Sequence, residues 1–77
     1  LHCDELKLDR SFVMDVAVRD KDAAIVRSTV DLGHSLGLTV VAEGVESQAV
    51  IHKLRELGCD IAQGFEISRP IPASALL

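Results

Sequence analysis

The segment at residues 38–43 constrains the fold most, because it is a short apolar run rich in β-branched side chains. It reads Leu-Thr-Val-Val-Ala-Glu and lies between Gly37 and Gly44. Strands of this kind are typical of parallel sheets in which both faces are covered. Helical patterns lie before and after it, so the sequence predicts a buried strand between two helices.

The two flanking segments have the periodicity of amphipathic helices. In the first, Asp20 or Asp22 is expected to cap the N-terminus and Gly37 to follow the last turn. Its broad apolar stripe consists of Ile25, Val26, Thr29, Val30, Leu32, Gly33 and Leu36. In the second, Ser47 is the expected cap and Gly58 the stop. Its inner face consists of Val50, Ile51, Leu54 and Leu57.

Two further strands are predicted, one on each side of these helices. Residues 6–9 alternate apolar and polar, as a strand does, and residues 10–19 predict a loop with a short helical turn. Residues 60–63 form the third strand, which ends at Gly64. The prolines at 70 and 72 then predict a last turn, followed by the start of a helix near the end of the chain.

The resulting order, β-α-β-α-β with the start of a final helix, predicts parallel strands joined by right-handed crossovers. A closed (β/α)8 barrel needs about 250 residues, so a chain of 77 residues can supply only its last three βα units. The rival is an open doubly wound sheet, which normally carries a Gly-rich first turn. Residues 9–11 are not such a turn, and the pattern favours the barrel. We expect one part of a single domain, without a linker or second domain.

Composition excludes several classes of function. Eight basic and twelve acidic residues give a net charge of −4 without a basic run, which argues against a nucleic-acid polymer as partner. No apolar run approaches the roughly 20 residues that span a bilayer, and the N-terminus lacks the pattern of a signal peptide. Cys3 and Cys59 have neither metal-ligand spacing nor the number needed for a disulfide scaffold, so we expect buried or bystander thiols in a reducing cytoplasm. The missing initiator Met indicates a piece of a longer protein.

Three polar side chains, those of Lys7, Glu43 and Gln63, end the three predicted strands. In both α/β architectures, ligands bind at the carboxyl ends of parallel strands. If Leu6 and Leu8 face the helices, Lys7 faces the other side, where a buried lysine is costly unless it is paired. A solvated strand lysine is the alternative.

Glu43 is the sharpest candidate, because a carboxylate that ends an apolar strand contributes nothing to packing. Burial there indicates a metal, a cationic partner or proton transfer. Gln63, taken alone, is explained by a hydrogen bond to a loop backbone, and Glu46 by the favourable charge at a helix N-terminus. Asp9 is a weaker second carboxylate. A two-metal phosphodiester site needs several carboxylates, so the remaining ligands would have to come from other strands.

Several segments, in this order, resemble the C-terminal part of the EAL domain, a family of bacterial phosphodiesterases specific for cyclic di-GMP. They are residues 6–13, 40–46, 58–60, 63–65 and 68–72. The resemblance covers about residues 4–72 and implies a modified TIM barrel with the substrate across the carboxyl ends of its strands. It also implies two divalent cations, Mg²⁺ or Mn²⁺, and hydrolysis of cyclic di-GMP to linear pGpG.

The resemblance further implies roles for individual residues. Lys7 matches a lysine that orients or helps to deprotonate the attacking water, and Glu43 matches a metal-ligating glutamate. Gln63 matches a glutamine that hydrogen-bonds the water around the metals. Phe65 and residues 68–70 (Ser68, Arg69 and Pro70) would lie near the guanine and the pocket wall.

The chain also departs from the family pattern. The Glu-Ala-Leu signature is absent, as are the family's asparagine, its next glutamate and its paired aspartates; in the family these belong to other strands. Phe65 stands where tyrosine is frequent, and Glu66 stands at a usually apolar position. These two changes bear only on fine detail of the pocket. Because two metals cannot be held by one or two of their ligands, we expect the 77-residue chain alone to be inactive. The alternative is a degenerate member that senses cyclic di-GMP or contacts a protein without hydrolysis. A homodimer through the complete domain, and membrane anchoring elsewhere in a longer protein, stay open.

Overall fold

The computed structural model describes residues 4–64 and 68–70, with side chains for residues 4–64. Its elements follow the predicted order, with a short helix after the first strand and an additional strand at the end. They are β1 (Glu5–Leu8), α1 (Arg10–Val13), α2 (Asp20–Ser35), β2 (Thr39–Ala42), α3 (Gln48–Glu56), β3 (Ile61–Gln63) and β4 (Ser68–Pro70). None of the helices formed by these residues has the length and apolar character needed to cross a membrane.

The strands form one sheet in the order β1-β2-β3-β4. The first two pairings are parallel, with Leu8 opposite Ala42 and Ala42 opposite Ala62, as the β-α-β-α-β pattern predicts. β4 pairs antiparallel with β3, with Gln63 opposite Ser68. Sequence analysis missed β4, because Pro70 was interpreted as the start of a turn; a proline is tolerated on an edge strand. Pro72 and the expected final helix lie outside the described residues.

The two faces of this sheet differ in character. Leu8, Ala42 and Ala62, which are neighbours across the three parallel strands, are all buried. They belong to a core that α2 and α3 complete on the same face. Its buried members are Leu8, Val13, Val16, Val26, Val30, Val40, Ala42, Val45, Val50, Leu54, Leu57, Cys59 and Ala62. Because strand side chains alternate between faces, Lys7, Glu43 and Gln63 lie on the face opposite the helices, which in a barrel is the interior.

Helix α2 approaches the sheet closely at Gly33. A Cβ atom placed there would lie 2.9 Å from Val40 Cγ2 and 3.3 Å from Leu6 Cδ2, so only glycine leaves room for this contact. This contact places Leu6 on the helix side, as expected.

The predicted apolar stripe of α2 is only partly buried. Val26, Val30 and Gly33 are buried, whereas Ile25, Leu32 and Leu36 are exposed. In the described residues, only the half of the stripe that points at β1 and β2 is packed on the sheet. A cavity of about 160 Å³ lies beside β1, next to Ile25 and Thr29 of α2. Its lining consists of Leu6, Lys7, Leu8, Asp9, Phe12, Ile25 and Thr29.

The start of α2 differs from the prediction. The helix begins at Asp20, and Arg19 occupies the N-cap position without a side-chain cap hydrogen bond. The expectation that Asp20 or Asp22 would cap the helix is therefore wrong. Both aspartates lie within its first turn instead, where the helix macrodipole favours negative charge.

The other predicted helix ends are confirmed. Gly37, with φ of +78°, follows the last turn of α2, and Gly58, with φ of +91°, follows that of α3. The Ser47 hydroxyl accepts a hydrogen bond of 3.2 Å from the Val50 N–H at the start of α3. These glycines and the serine fix where the chain leaves one layer and enters the next.

At the amino end of the parallel strands, Asp60 connects three elements. Its Oδ2 accepts a hydrogen bond of 2.8 Å from the Val40 N–H at the start of β2. The same oxygen lies 2.7 Å from Nε2 of His34 near the end of α2, and the nitrogen donates because a carboxylate accepts. The neighbouring Cys59 is buried, as expected for a packing thiol, and burial raises its pKa to about 11. Cys3 lies outside the described residues.

Candidate functional site

Lys7 and Glu43 meet at the carboxyl rim of the parallel strands. The Lys7 Nζ atom lies 3.7 Å from Glu43 Oε2, across the β1–β2 pair. The register places Lys7 opposite Val41, so the lysine backbone lies two residues below Glu43. Its four-carbon stem spans that offset of about 6.6 Å and carries the ammonium to the carboxylate.

Both side chains are half exposed in the described residues, on the face that is the interior of a complete barrel. The exposed fraction is 54% for Lys7 and 40% for Glu43. The physical reason is their place at the strand ends, where side chains extend past the sheet. The lysine is nevertheless paired with an acidic group, Glu43.

Gln63 ends the third strand on the same side. The pairing of Ala42 with Ala62, continued by one residue, puts Gln63 beside Glu43. The backbone carbonyl of Gln63 accepts a hydrogen bond of 2.9 Å from the Val45 N–H, which ties this strand end to the turn after β2. The side chain is half-buried. Three strand ends therefore present an ammonium, a carboxylate and an amide along one rim.

Asp9, the weaker second carboxylate, has a structural role in the described chain. Its Oδ2 accepts hydrogen bonds from the Ser11 hydroxyl at 2.6 Å and the Ser11 N–H at 2.9 Å, and so caps α1. The hydrogen bond from the Ser11 side chain, followed by that from its backbone, lowers the pKa of Asp9. This carboxylate is explained by the helix start, without a metal.

The donor chemistry of Glu43 fits one ligand position of a hard divalent cation, which prefers carboxylate oxygens. Within the described residues, however, no group of three or more His, Cys, Asp or Glu side chains is arranged to hold a metal ion. The described residues therefore offer Glu43 as one possible cation ligand at the rim.

Of the remaining predicted site residues, Phe65 lies outside the described residues. For Ser68, Arg69 and Pro70 the structure describes the backbone of β4 alone. Their expected roles at the guanine and the pocket wall stay predictions.

Arg10 is a residue near the rim that sequence reasoning did not single out. Its guanidinium Nη2 lies 3.8 Å from Glu46 Oε1, so Glu46 pairs across the rim instead of serving only as a charge near α3. The stem of Arg10 lies over Gly44. Only an indirect signal for this contact was present in the sequence: Arg10 follows the end of the first predicted strand, and Gly44 follows the end of the second.

Comparison with known proteins agrees with this geometry. The EAL domain family matches residues 1–70, and the chain belongs to that family. It is 49% identical over 77 residues to the bifunctional diguanylate cyclase/cyclic di-GMP phosphodiesterase MucR of Pseudomonas aeruginosa. That match covers the whole chain and 11% of MucR.

Solved structures give the same result. The MucR phosphodiesterase in complex with c-di-GMP superposes with a TM-score of 0.76 and 49% identity, over 100% of this chain and 31% of that one. BlrP1 of Klebsiella pneumoniae, in a complex with manganese and cyclic di-GMP, gives a TM-score of 0.80 and 40% identity, over 91% of this chain and 18% of that one. The structural neighbours are EAL domains of the TIM-barrel type, so the sheet described above corresponds to part of such a barrel, and the expected fold class is confirmed.

Proposed function

We propose that this chain forms part of a metal-dependent phosphodiesterase domain that hydrolyses cyclic di-GMP to linear pGpG. The observation that carries the proposal is the Lys7–Glu43 pair, 3.7 Å apart at the strand ends where ligands of α/β barrels bind. Membership of the EAL family and 49% identity to a relative named as a cyclic di-GMP phosphodiesterase support it. Residues 1–77 would be the C-terminal part of one EAL-type barrel domain.

In this proposal each strand end has a distinct task. Glu43 would supply a carboxylate oxygen to one of two divalent cations, Mg²⁺ or Mn²⁺. When bound, such cations lower the pKa of water and stabilise charge on the phosphoryl oxygens. The Lys7 ammonium, with three N–H donors, orients the attacking water, and the Gln63 amide hydrogen-bonds water from the third strand. As the water oxygen bonds to phosphorus it loses a proton, one P–O ester bond breaks, and the departing oxygen takes up a proton.

The substrate contacts proposed for Phe65, Ser68, Arg69 and Pro70 rest on the resemblance alone. We place the reaction in the bacterial cytoplasm, because the relative MucR is a bacterial protein named for cyclic di-GMP synthesis and hydrolysis.

A chimera tests the proposal. This chain replaces the matching 77 residues of the MucR phosphodiesterase domain, to which it aligns over its whole length. Purified chimera is incubated with cyclic di-GMP and Mg²⁺ or Mn²⁺, and pGpG is quantified by chromatography. We expect metal-dependent release of pGpG. A folded chimera that binds cyclic di-GMP and releases no pGpG would support the sensor alternative.

The 77-residue chain by itself is the complementary sample. Its described residues offer Glu43 at the rim and no three-residue metal cluster, so we expect no pGpG at all. Turnover by the isolated chain at the rate of the chimera would contradict the view that the site needs residues from elsewhere.

A further inference from the structure

The turn that carries Glu43 is packed against Arg10 at Gly44. Gly44 has φ of +74°, a backbone conformation that favours glycine. A Cβ atom at Gly44 would lie 2.5 Å from Arg10 Cγ, 2.8 Å from Cβ and 2.9 Å from Cδ. The aliphatic stem of Arg10 therefore rests directly on the backbone that follows Glu43.

The same arginine reaches the far side of the turn. Its guanidinium pairs with Glu46 at 3.8 Å, so one side chain contacts residues 44 and 46 of the loop after β2. A cavity of about 360 Å³ lies along this contact. Its lining consists of Arg10, Met14, Gly44, Glu46, Ser47 and Val50.

Backbone hydrogen bonds hold the turn on both sides of Gly44. The Glu43 N–H donates to the Leu8 carbonyl at 3.0 Å, and the Val45 N–H donates to the Gln63 carbonyl at 2.9 Å. Gly44 lies between these two anchors, and Arg10 covers it. The turn is therefore held by a backbone hydrogen bond from β1, by another from β3, and by the packing of Arg10 on Gly44 between them.

The Arg10–Glu46 pair contributes little to overall stability, because both side chains are largely exposed, at 61% and 55%. A matched pair elsewhere has the same length and similar exposure: Arg19 Nε and Asp15 Oδ2 are 3.8 Å apart, with exposures of 69% and 45%. Replacing either arginine should change stability by similarly small amounts. Any difference between the two replacements in metal binding then reports on the position of Arg10.

We propose that Arg10 is a positioning residue, which fixes the Glu43–Gly44 turn and so holds the Glu43 carboxylate beside Lys7 for cation binding. The inference rests on the proposed function, in which Glu43 is a metal ligand. Displacement of a catalytic group by about 1 Å can cost about a hundredfold in rate, and groups that orient metal ligands typically contribute about 10–100-fold in metal affinity or activity.

The test uses the MucR chimera with Arg10→Ala, Arg10→Lys, Glu46→Gln and the control Arg19→Ala. Mn²⁺ affinity is measured without substrate by titration of the free-ion paramagnetic resonance signal; kcat and thermal stability are measured alongside. For Arg10→Ala we expect Mn²⁺ binding weaker by about tenfold and kcat lower by about tenfold or more, with a melting temperature close to that of Arg19→Ala. Arg10→Lys, which keeps a stem and a charge, should recover most of both losses.

Glu46→Gln removes the charged partner of the Arg10 guanidinium and leaves the arginine stem on Gly44. It therefore tests the Arg10–Glu46 contact even if Arg10→Ala fails to fold. We expect a loss of Mn²⁺ affinity in the same direction and smaller in size. The proposal is overturned if Arg10→Ala and Glu46→Gln both stay within about twofold of Arg19→Ala in Mn²⁺ affinity. It is also overturned if Arg10→Ala fails to fold and the Mn²⁺ affinity of Glu46→Gln is unaltered.

These outcomes separate this inference from the proposed function. An unmodified chimera that binds Mn²⁺ and releases no pGpG contradicts the phosphodiesterase, while the Mn²⁺ titrations still decide the role of Arg10. A chimera that binds no Mn²⁺ contradicts both.

Discussion

Lys7 and Glu43, 36 residues apart in the sequence, are paired at 3.7 Å across two parallel strands. The pair follows from the strand register, in which Leu8 lies opposite Ala42. Lys7 precedes Leu8 and Glu43 follows Ala42, and both side chains reach the same rim. In the proposed function, the carboxylate binds a cation and the ammonium orients a water near the phosphodiester.

We first predict that this pair is required for turnover. In the MucR chimera, Lys7→Met and Glu43→Gln should each lower kcat by about 100-fold or more, because misplacing the groups that position the reacting atoms costs about that much. Steady-state release of pGpG measures the effect. Lys53→Met is the matched control, because Lys53 Nζ pairs with Glu56 Oε1 at 3.6 Å on the surface of α3. Equal activity of Lys7→Met and Lys53→Met would remove Lys7 from the mechanism.

A second prediction concerns the space above Gly44. Gly37 and Gly44 both have positive φ, but a Cβ at Gly37 would meet nothing within 4 Å, whereas one at Gly44 would collide with Arg10. Gly37→Ala should cost about 1–2 kcal/mol for the left-handed backbone alone, and Gly44→Ala about 1–3 kcal/mol more for overpacking. Thermal unfolding of the chimeras measures the difference. The double variant Arg10→Ala/Gly44→Ala should regain the excess; no such coupling would mean that Arg10 does not crowd this position.

A third prediction concerns Asp60 at the opposite end of the strands. Asp60→Ala leaves the Val40 N–H without its acceptor and His34 without its partner, which should destabilise the domain by about 1–3 kcal/mol. Glu56→Ala is the control, because Glu56 pairs with His52 at 3.4 Å on an exposed helix face and should cost under about 1 kcal/mol. Denaturant unfolding distinguishes them. Because Asp60 lies away from the rim, kcat of the folded variant should stay near that of the unmodified chimera.

A fourth prediction follows from the buried thiol of Cys59. Its pKa is raised from 9.0 to about 11 by burial, so the folded state keeps its proton at pH values where the unfolded state loses it. The stabilisation from the neutral thiol is therefore complete below pH 9 and lost as the pH rises towards 11, by roughly 2–3 kcal/mol. Melting temperatures of the chimera between pH 8 and 11 measure this loss.

Cys59→Ala is the control for that series, and its stability should fall less steeply over the same interval. At pH 8, the peptide that contains Cys59 should also resist alkylation by iodoacetamide unless the protein is unfolded, as read by mass spectrometry. Rapid alkylation of the native protein would show that the thiol is accessible.

Much of the fold could be predicted because its signals are local. The apolar run around Val40, the cap at Ser47 and the glycines at 37 and 58 each depend on a few neighbouring residues. The polar strand ends were predicted for the same reason, since parallel strands place their carboxyl ends together. The predicted cap of α2 was wrong because the helix begins at Asp20 itself, so Arg19 holds the N-cap position and both aspartates lie in the first turn. β4 was missed because antiparallel pairing depends on its partner strand.

The sequence by itself determined the order of strands and helices and the polar residues that end three strands, because periodicity and end signals act over a few residues. The tertiary structure alone decided that Arg10 lies on Gly44, that Asp60 joins His34 to Val40, and that only half of the apolar stripe of α2 is buried. These contacts join segments about 20–35 residues apart. The distances between the contacting side chains depend on the register of the strands and on the angle at which α2 crosses them. Local sequence patterns specify neither.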